Sequence, residues 1–192
     1  MFREAGLVKD EVVAIHGAGM LGQTACAMAS EQGATCVIAI EPDLRRRDMA
    51  LRFGASMAID SASPPDEISA RVKEFTNGRG ADVGLEFAGY PESAELGVRL
   101  LRMGGRFIMA GATFPSRPIN LSAEKLVRSM IQISGVYNYS PEDLERALVF
   151  LDRSAGLYPF EEMVGARYPL RDVNAAIAFA ESERPLRVAL IA

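Results

Sequence analysis

The sequence contains one histidine, two cysteines and no tryptophan. The histidine is His16, and the cysteines, Cys26 and Cys36, fall in a predicted helix and at the start of a predicted strand. A structural zinc site requires about four Cys or His ligands and a catalytic site about three protein ligands, so these residues cannot form either. We expect both cysteines to be small, buried side chains of a protein in a reducing compartment.

Long apolar runs and concentrated charge are also missing. The 21 basic and 25 acidic residues give a formal net charge of -4, and the basic residues are scattered apart from Arg45, Arg46 and Arg47. This distribution argues against a nucleic-acid partner. No apolar run approaches the ~18 residues of a membrane span, and the first residues lack the basic and then apolar pattern of a secretory signal. We therefore predict a cytoplasmic protein with no membrane partner.

The sequence does have a regular alternation of strand-like and helix-like segments. Alternation of this kind predicts a parallel sheet covered by helices on both faces. The predicted fold is α/β, a doubly wound parallel six-stranded sheet of the Rossmann type. The predicted strands are residues 11–17, 36–41, 56–60, 81–89, 106–111 and one within 125–137, and the predicted helices are 20–32, 43–54, 66–80 and 91–105.

The alternation stops after residue 139. A helix capped by Ser140 (residues 140–156) is followed by an irregular aromatic stretch (158–170), a helix (171–183) and an apolar strand (185–192). We therefore expect a dinucleotide-binding domain over residues 1–139 and a C-terminal helix and strand appendage over 140–192.

A glycine-rich turn joins the first predicted strand to the first long helix. Gly17, Gly19 and Gly22 stand in the order G-x-G-x-x-G, with Met20 and Leu21 inside the motif. Gly17 permits the tight turn, Gly19 allows the backbone to approach a pyrophosphate, and Gly22 allows close packing of helix and strand. The helix N-terminus then offers N–H groups to the phosphates. The alternative is an ordinary turn between strand and helix, since this pattern alone is weakly specific.

An acidic residue, Glu41, ends the second predicted strand, about twenty residues after the motif. Its carboxylate is placed to accept hydrogen bonds from an adenosine ribose and would repel a 2'-phosphate, which favours NAD over NADP. Against this, an arginine near the ribose could accept a 2'-phosphate, or the arginine run could be a solvated helix face. Among these arginines we choose Arg46 as the residue that flanks the adenine. The motif also fits S-adenosylmethionine methyltransferases, but the terminal strand pair of that fold is not indicated.

Four segments together resemble the medium-chain dehydrogenase/reductase family, specifically the cofactor-binding half of its zinc-dependent alcohol, polyol and threonine dehydrogenases. They are VVAIHGAGMLG (12–22), VIAIEPDLRRRDMALRFGA (37–55), the stretch from GADVGLEFAG to RFIMAG (80–111), and YPLRDVNAAIAFAESERPLRVALI (168–191). The GAGMLG variant is similar to alcohol dehydrogenases associated with phosphonate catabolism.

The resemblance implies further cofactor contacts beyond the glycine turn and Glu41. It implies that a stretch along the cofactor is formed by Phe87, Ala88 and Gly89, and that the residues beside the nicotinamide riboside are Ala110 and Gly111. It also implies that the carboxamide is bonded by backbone groups of Val136, Tyr137 and Asn138, and that the basic residue against the pyrophosphate is Arg187. Phe87 and Ala88 could instead be strand core, and Arg187 could be a surface residue. We expect His16 to be a structural rather than a catalytic residue.

The resemblance also implies what lies outside this sequence. In the family, the zinc ligands and the proton relay belong to a barrel-like domain, and the opening MFREAGLVKDE resembles the helix that links it to the dinucleotide-binding domain. We expect an NAD(H)-binding domain of an alcohol dehydrogenase-like oxidoreductase, with no catalytic residue of its own and with zinc only in the full-length enzyme. Two alternatives are a free-standing NAD sensor and a fragment of a zinc-free enoyl or quinone reductase, which usually uses NADPH.

Two surfaces are expected to associate. Family dimers pair their sixth strands, and the apolar stretch between Ser129 and Tyr137 would leave such an edge open, so we predict a homodimer through it. The C-terminal segment packs on the catalytic domain in the family. We therefore expect Tyr158, Phe160 and Tyr168 to be partly exposed in this chain.

Overall fold

The computed structural model describes residues 2–6 and 9–192. The chain divides into two compact units, Met1–Leu144 and Glu145–Ala192. None of the helices in the described ranges has the length and apolarity needed to cross a membrane.

The first unit contains one parallel six-stranded sheet in the order β3-β2-β1-β4-β5-β6. This is the doubly wound order, so the predicted Rossmann-type sheet is confirmed. The strands are β1 (Val12–His16), β2 (Cys36–Ile40), β3 (Met57–Ile59), β4 (Ala81–Glu86), β5 (Leu101–Met109) and β6 (Gln132–Gly135). The helices are α1 (Phe2–Ala5), α2 (Met20–Glu31), α3 (Leu44–Arg52), α4 (Pro65–Phe75), α5 (Pro91–Leu100) and α6 (Ala123–Arg128).

The core of this unit lies along the three central strands. Every residue of β1, β2 and β4 is buried, as expected of parallel strands with helices on both faces. Phe107 of β5 fills the space beside two glycines, because a Cβ at Gly84 or Gly97 would lie 2.4 or 2.1 Å from its ring. The apolar runs that predicted these strands therefore also define the core.

Helix α3 begins where its sequence predicts. The Asp43 side chain accepts a hydrogen bond from the Arg46 N–H at 3.2 Å, which caps the helix. Gly54, with φ +88, follows the last residues of the helix. Helix α2 is likewise followed by Gly33, with φ +83. Both glycines adopt the left-handed conformation that commonly ends helices.

The boundary between α5 and β5 differs from the prediction. We expected a helix to residue 105 and a strand over 106–111, but the helix ends at Leu100 and the strand is Leu101–Met109. Leu101 is already extended (φ -70, ψ 145) and pairs with Ala81. Gly104, with φ +74, cannot continue a helix. The error arose because the apolar spacing of residues 97–103 fits both a helix and a strand.

The helix α7 (Pro141–Ser154) has the predicted N-cap. Ser140 Oγ accepts from the Asp143 N–H at 3.3 Å, and Asp143 Oδ2 accepts from the Ser140 N–H at 3.0 Å. These reciprocal hydrogen bonds satisfy two N–H groups at the start of the helix.

The second unit contains a two-stranded parallel sheet. Strand β7 (Val164–Pro169) pairs with β8 (Arg187–Ile191), and α8 (Val173–Glu183) connects them. The prediction of α8 and β8 was right, but residues 158–170 are not irregular, because they contain a short 3-10 helix, Phe160–Met163, and β7. Alternate residues of β7 are only partly buried, so the strand lacks the apolar run that marks the central strands.

Candidate dinucleotide-binding site

The site lies at the carboxyl ends of the central strands. His16, the last residue of β1, is paired in register with Ile40 of β2 on one side and with Glu86 of β4 on the other. The three loops that follow these strands therefore begin side by side. This is the point where the strand order reverses, and ligands of such sheets bind there.

Backbone contacts make the glycine turn compact. Gly17 has φ +88, and its N–H donates to Ile40 O at 2.9 Å. A Cβ at Gly17 would lie 2.9 Å from Ala88 N, and a Cβ at Gly22 would lie 1.9 Å from Gly17 O. A side chain at Gly17 would therefore push the glycine turn away from the turn after β4, and a side chain at Gly22 would push helix α2 away from the glycine turn.

Gly19 differs from the other two glycines because no heavy atom lies within 4 Å of its Cβ position. It is the N-cap of the 12-residue helix α2, and no side chain caps the helix there. Met20 and Leu21 form the first turn. An open glycine beside uncapped N–H groups fits a pyrophosphate, which brings negative charge to the positive end of the helix.

Glu41 lies against this turn. Its Oε2 accepts from the Ala18 N–H at 2.7 Å, and its Oε1 accepts from the Asp43 N–H at 3.2 Å. The residue is only 5% exposed. Each carboxylate oxygen can accept a further hydrogen bond, so these contacts fix the carboxylate beside the turn and still allow it to bind hydroxyl groups.

The three arginines after Glu41 have different environments. Arg47 donates to Glu41 O at 2.8 Å and Pro42 O at 2.7 Å, and it forms an ion pair with Asp60 at 3.3 Å. The alternative of a solvated helix face is therefore wrong for Arg47, which stabilises the chain after β2. The Arg45 side chain is 71% exposed and pairs with Asp43 at 3.5 Å. Arg46, our adenine candidate, is half-buried.

Gln23 is a buried polar residue whose contacts were not predicted from the sequence. Its Nε2 donates to Ala18 O at 3.0 Å and to Arg46 O at 2.9 Å, and the residue is fully buried. It therefore links the glycine turn to the start of α3. A glutamine on an otherwise small and apolar helix face was the available signal, because a buried amide N–H group usually donates to a partner.

The turns after β4 and β5 form the other half of the site. The N–H groups of Ala110 and Gly111 both donate to Glu86 O at 3.0 Å, and the Phe87 N–H donates to His16 O at 2.8 Å. A Cβ at Gly89 would lie 2.6 Å from Gly111 O. The five residues that resemblance assigned to this half, Phe87, Ala88, Gly89, Ala110 and Gly111, are thus brought together, and Phe87 is partly exposed rather than wholly in the core.

The remaining assigned residues are less constrained. The Val136 N–H donates to Met109 O at 2.8 Å, so Val136 extends the edge of the sheet beyond β6, while Tyr137 is 84% exposed. Asn138 adopts φ +60. Arg187 lies in the second unit, where its guanidinium donates to Leu186 O at 2.8 Å. The roles of these four residues stay predictions.

His16 lies beneath the site rather than in it. It is buried, and its ring packs edge-on against Phe107 with 5.9 Å between ring centroids. Burial lowers the pKa of the imidazole to about 4. Its Nε2 atom has no hydrogen-bond partner among the described residues.

The two cysteines are buried and unpaired, and burial raises the pKa of Cys26 to about 12. Among the described residues, no three His, Cys, Asp or Glu side chains lie together as a metal site.

The chain matches one protein family over most of its length. The model of a family described as zinc-binding dehydrogenase matches residues 21–153. The chain belongs to the zinc-binding dehydrogenase family. This family consists of oxidoreductases that bind a nicotinamide dinucleotide, and the alternative of a methyltransferase is not favoured.

Individual relatives show how much of their length this chain matches. This chain is 33% identical over 185 residues to an L-threonine 3-dehydrogenase of Streptomyces avermitilis, and the match covers 96% of this chain and 52% of that protein. It is also 33% identical over 145 residues to a sorbitol dehydrogenase of Halalkalibacterium halodurans, and this match covers 75% of this chain and 41% of that protein. The chain thus spans about half the length of the curated relatives it matches.

Two solved structures agree with the fold. An alcohol dehydrogenase from Thermotoga maritima is 28% identical with a TM-score of 0.92, and the match covers 98% of this chain and 52% of that one. An alcohol dehydrogenase zinc-binding domain protein from Burkholderia ambifaria is 28% identical with a TM-score of 0.86, and the match covers 98% of this chain and 50% of that one.

Proposed function

We propose that this chain binds NAD(H) and positions its nicotinamide ring for hydride exchange with an alcohol or carbonyl substrate. The observation that carries this proposal is the open Gly19 at the uncapped N-terminus of α2, with Glu41 hydrogen-bonded to the same turn. The phosphates would lie at the helix N-terminus and the adenosine ribose at Glu41.

The preference for NAD rests on the immediate surroundings of Glu41. Its carboxylate is fixed by two backbone N–H groups, so it cannot swing away from an incoming 2'-phosphate. Arg47 is already engaged with two carbonyl groups and Asp60. A carboxylate held at the ribose position opposes a 2'-phosphate and therefore NADP.

The turns after β4 and β5 would position the nicotinamide half. When bound, the nicotinamide ring supplies a carbon that exchanges hydride with the substrate carbon. The backbone of Phe87, Ala88, Gly89, Ala110 and Gly111 would orient the riboside. The exposed Tyr137 and Asn138 would lie beside the carboxamide.

The activity of a whole enzyme containing this chain is a further part of the proposal. An alcohol dehydrogenase or polyol dehydrogenase reaction is supported by the family and by the relatives' names. We propose that zinc and the proton relay come from a part of the enzyme outside these 192 residues. A free-standing NAD sensor is not favoured by any observation in the structure.

The cofactor preference is tested by calorimetric titration with NADH and NADPH. We expect the chain to bind NADH at least about tenfold more tightly, which corresponds to ~1.4 kcal/mol. Glu41→Gln should remove most of this preference, since the charge is lost and the shape is kept. Asp48→Asn, a charge change on the exposed surface of α3, is the matched control and should preserve it. Equal affinity of the unmodified chain for both cofactors would contradict the proposed NAD preference.

A further inference from the structure

Glu86, the last residue of β4, is buried beneath the nicotinamide half of the proposed site. We propose that Glu86 is a positioning residue that fixes the turns after β4 and β5 in the shape that receives the nicotinamide riboside. This inference rests on the proposed binding of a nicotinamide dinucleotide. It adds a residue that contacts no cofactor atom and acts through the backbone.

The hydrogen bonds of Glu86 reach both turns. Its Oε1 accepts from the Gly89 N–H at 2.7 Å, and its backbone oxygen accepts from the N–H groups of Ala110 and Gly111 at 3.0 Å each. Gly89 and Gly111 are in turn in backbone contact, with only 2.6 Å between the Cβ position of Gly89 and Gly111 O. A shift of the Glu86 carboxylate would therefore displace both turns.

The environment of Glu86 is costly for a carboxylate. The residue is 0% exposed, and Oε2 has no hydrogen-bond partner among the described residues. Burial raises the pKa of Glu86, and hydrogen bonds from the Gly89 N–H, the Ser93 hydroxyl and the Ala88 and Gly111 N–H groups only partly oppose this effect. A buried carboxylate with an open oxygen destabilises a fold relative to an apolar side chain of similar volume. This cost favours a functional explanation for the residue.

Asp82 provides an internal contrast at the other end of the same strand. Its Oδ2 accepts from the Val12 N–H at 2.8 Å, and its Oδ1 accepts from Arg79 at 3.2 Å and from Arg102. Burial tends to raise the pKa of Asp82, but these N–H and guanidinium donors outweigh burial and lower it. Asp82 is thus a fully paired carboxylate far from the turns, and we assign it a role in stability alone.

The test compares NADH with ADP, which carries the adenosine and both phosphates but lacks the nicotinamide riboside. Glu86→Leu, Glu86→Gln and Asp82→Asn are titrated with both ligands by calorimetry. We expect Glu86→Leu to weaken NADH binding about tenfold, since the hydrogen bonds that the carboxyl accepts from the turn after β4 are lost, while ADP affinity changes less than about twofold. Glu86→Gln keeps one acceptor oxygen, so its affinity for NADH should fall about threefold and its affinity for ADP should not change. Asp82→Asn should leave the ratio of the two affinities unchanged.

The outcomes separate this inference from the proposed function. If the unmodified chain binds neither ligand, the proposed function itself is wrong. If it binds both and the Glu86 variants weaken NADH and ADP equally, or weaken neither, Glu86 does not position the nicotinamide half. Should Glu86→Leu fail to fold, the selective loss of NADH affinity in Glu86→Gln decides the question in the same way.

Discussion

At the scale of single residues, His16 is the clearest probe of the buried end of β1. It is the only histidine in the sequence, and it is packed against Phe107 below the glycine turn. Burial alone accounts for the lowering of its pKa from 6.5 to about 4. The folded chain therefore holds the ring neutral over a pH range in which the unfolded chain protonates it.

This difference predicts a pH-dependent stability. Between pH 6.5 and about 4, the unfolded chain binds a proton on His16 that the folded chain excludes, so the free energy of unfolding decreases as the pH falls. The loss amounts to about 3 kcal/mol at the lower end of this range. NMR of the single imidazole should give a midpoint near 4, and His16→Gln should flatten the stability profile. An imidazole midpoint near 6.5 would show that the ring is accessible to water.

The residues that could be predicted from the sequence are those that belong to a local pattern. Gly17, Gly19, Gly22 and Glu41 follow one another along the chain at fixed spacing, and the structure brings them to one edge of the sheet. The contacts of Gln23, Arg47 and Glu86 were not predicted. Gln23 contacts Arg46, which lies 23 residues further on, whereas Arg47 and Glu86 bond to backbone groups six and three residues away, in turns whose shape no simple residue pattern specifies.

At the scale of elements, the contact of α2 with the end of β1 decides whether the glycine turn forms. The helix approaches the turn so closely that a Cβ at Gly22 would lie 1.9 Å from Gly17 O. This oxygen belongs to the backbone and cannot move without opening the turn. The close packing of α2 on β1 is therefore required for the shape of the proposed phosphate site.

Gly22→Ala is expected to destabilise the chain despite the better helix propensity of alanine. Overpacking of this kind costs about 1–3 kcal/mol, and α2 must tilt away from β1 to accept the methyl group. The matched control is Gly135→Ala, where no heavy atom lies within 4 Å of the Cβ position, and its effect should stay within about 0.5 kcal/mol. Urea unfolding of the three proteins measures the difference. Equal stability of the two variants would contradict the close packing of α2.

Most elements of the sheet could be predicted because the central strands are continuous apolar runs between turn signals. The start of β5 and the strand β7 could not be predicted from the sequence. Leu101 carries the same apolar signal in a helix or a strand. Strand β7 is half-exposed, and its partner β8 lies about twenty residues further along the chain. In both places the pairing, rather than the local sequence, determines the conformation.

At the scale of the whole molecule, the sheet has an open edge at β6. The strand pairs with β5 on one side, and the strand order places it at the end of the sheet. All four of its residues are exposed. An open edge of this kind is a template for a second strand, so we propose that two copies pair through β6.

The dimer is tested by sedimentation velocity. We expect the chain to sediment as a dimer and Ile133→Lys to sediment as a monomer, because a lysine on an edge strand opposes pairing. Leu51→Lys, which adds the same charge on the exposed face of α3, is the control and should remain dimeric. A monomeric unmodified chain, or a dimeric Ile133→Lys variant, would show that β6 is not the interface.

The central claim is that the glycine turn holds a dinucleotide, and NADH titration of Gly19→Asp tests it most directly. Aspartate is a favoured N-cap residue and meets no heavy atom at this position, so thermal stability should be kept or raised. Its carboxylate would fill the phosphate position and repel the phosphates, so NADH affinity should fall at least about a hundredfold, or ~2.8 kcal/mol. Ser122→Asp places the same charge at the N-cap of α6 and should leave the affinity unchanged. A stable Gly19→Asp variant that binds NADH as tightly as the unmodified chain would contradict the claim.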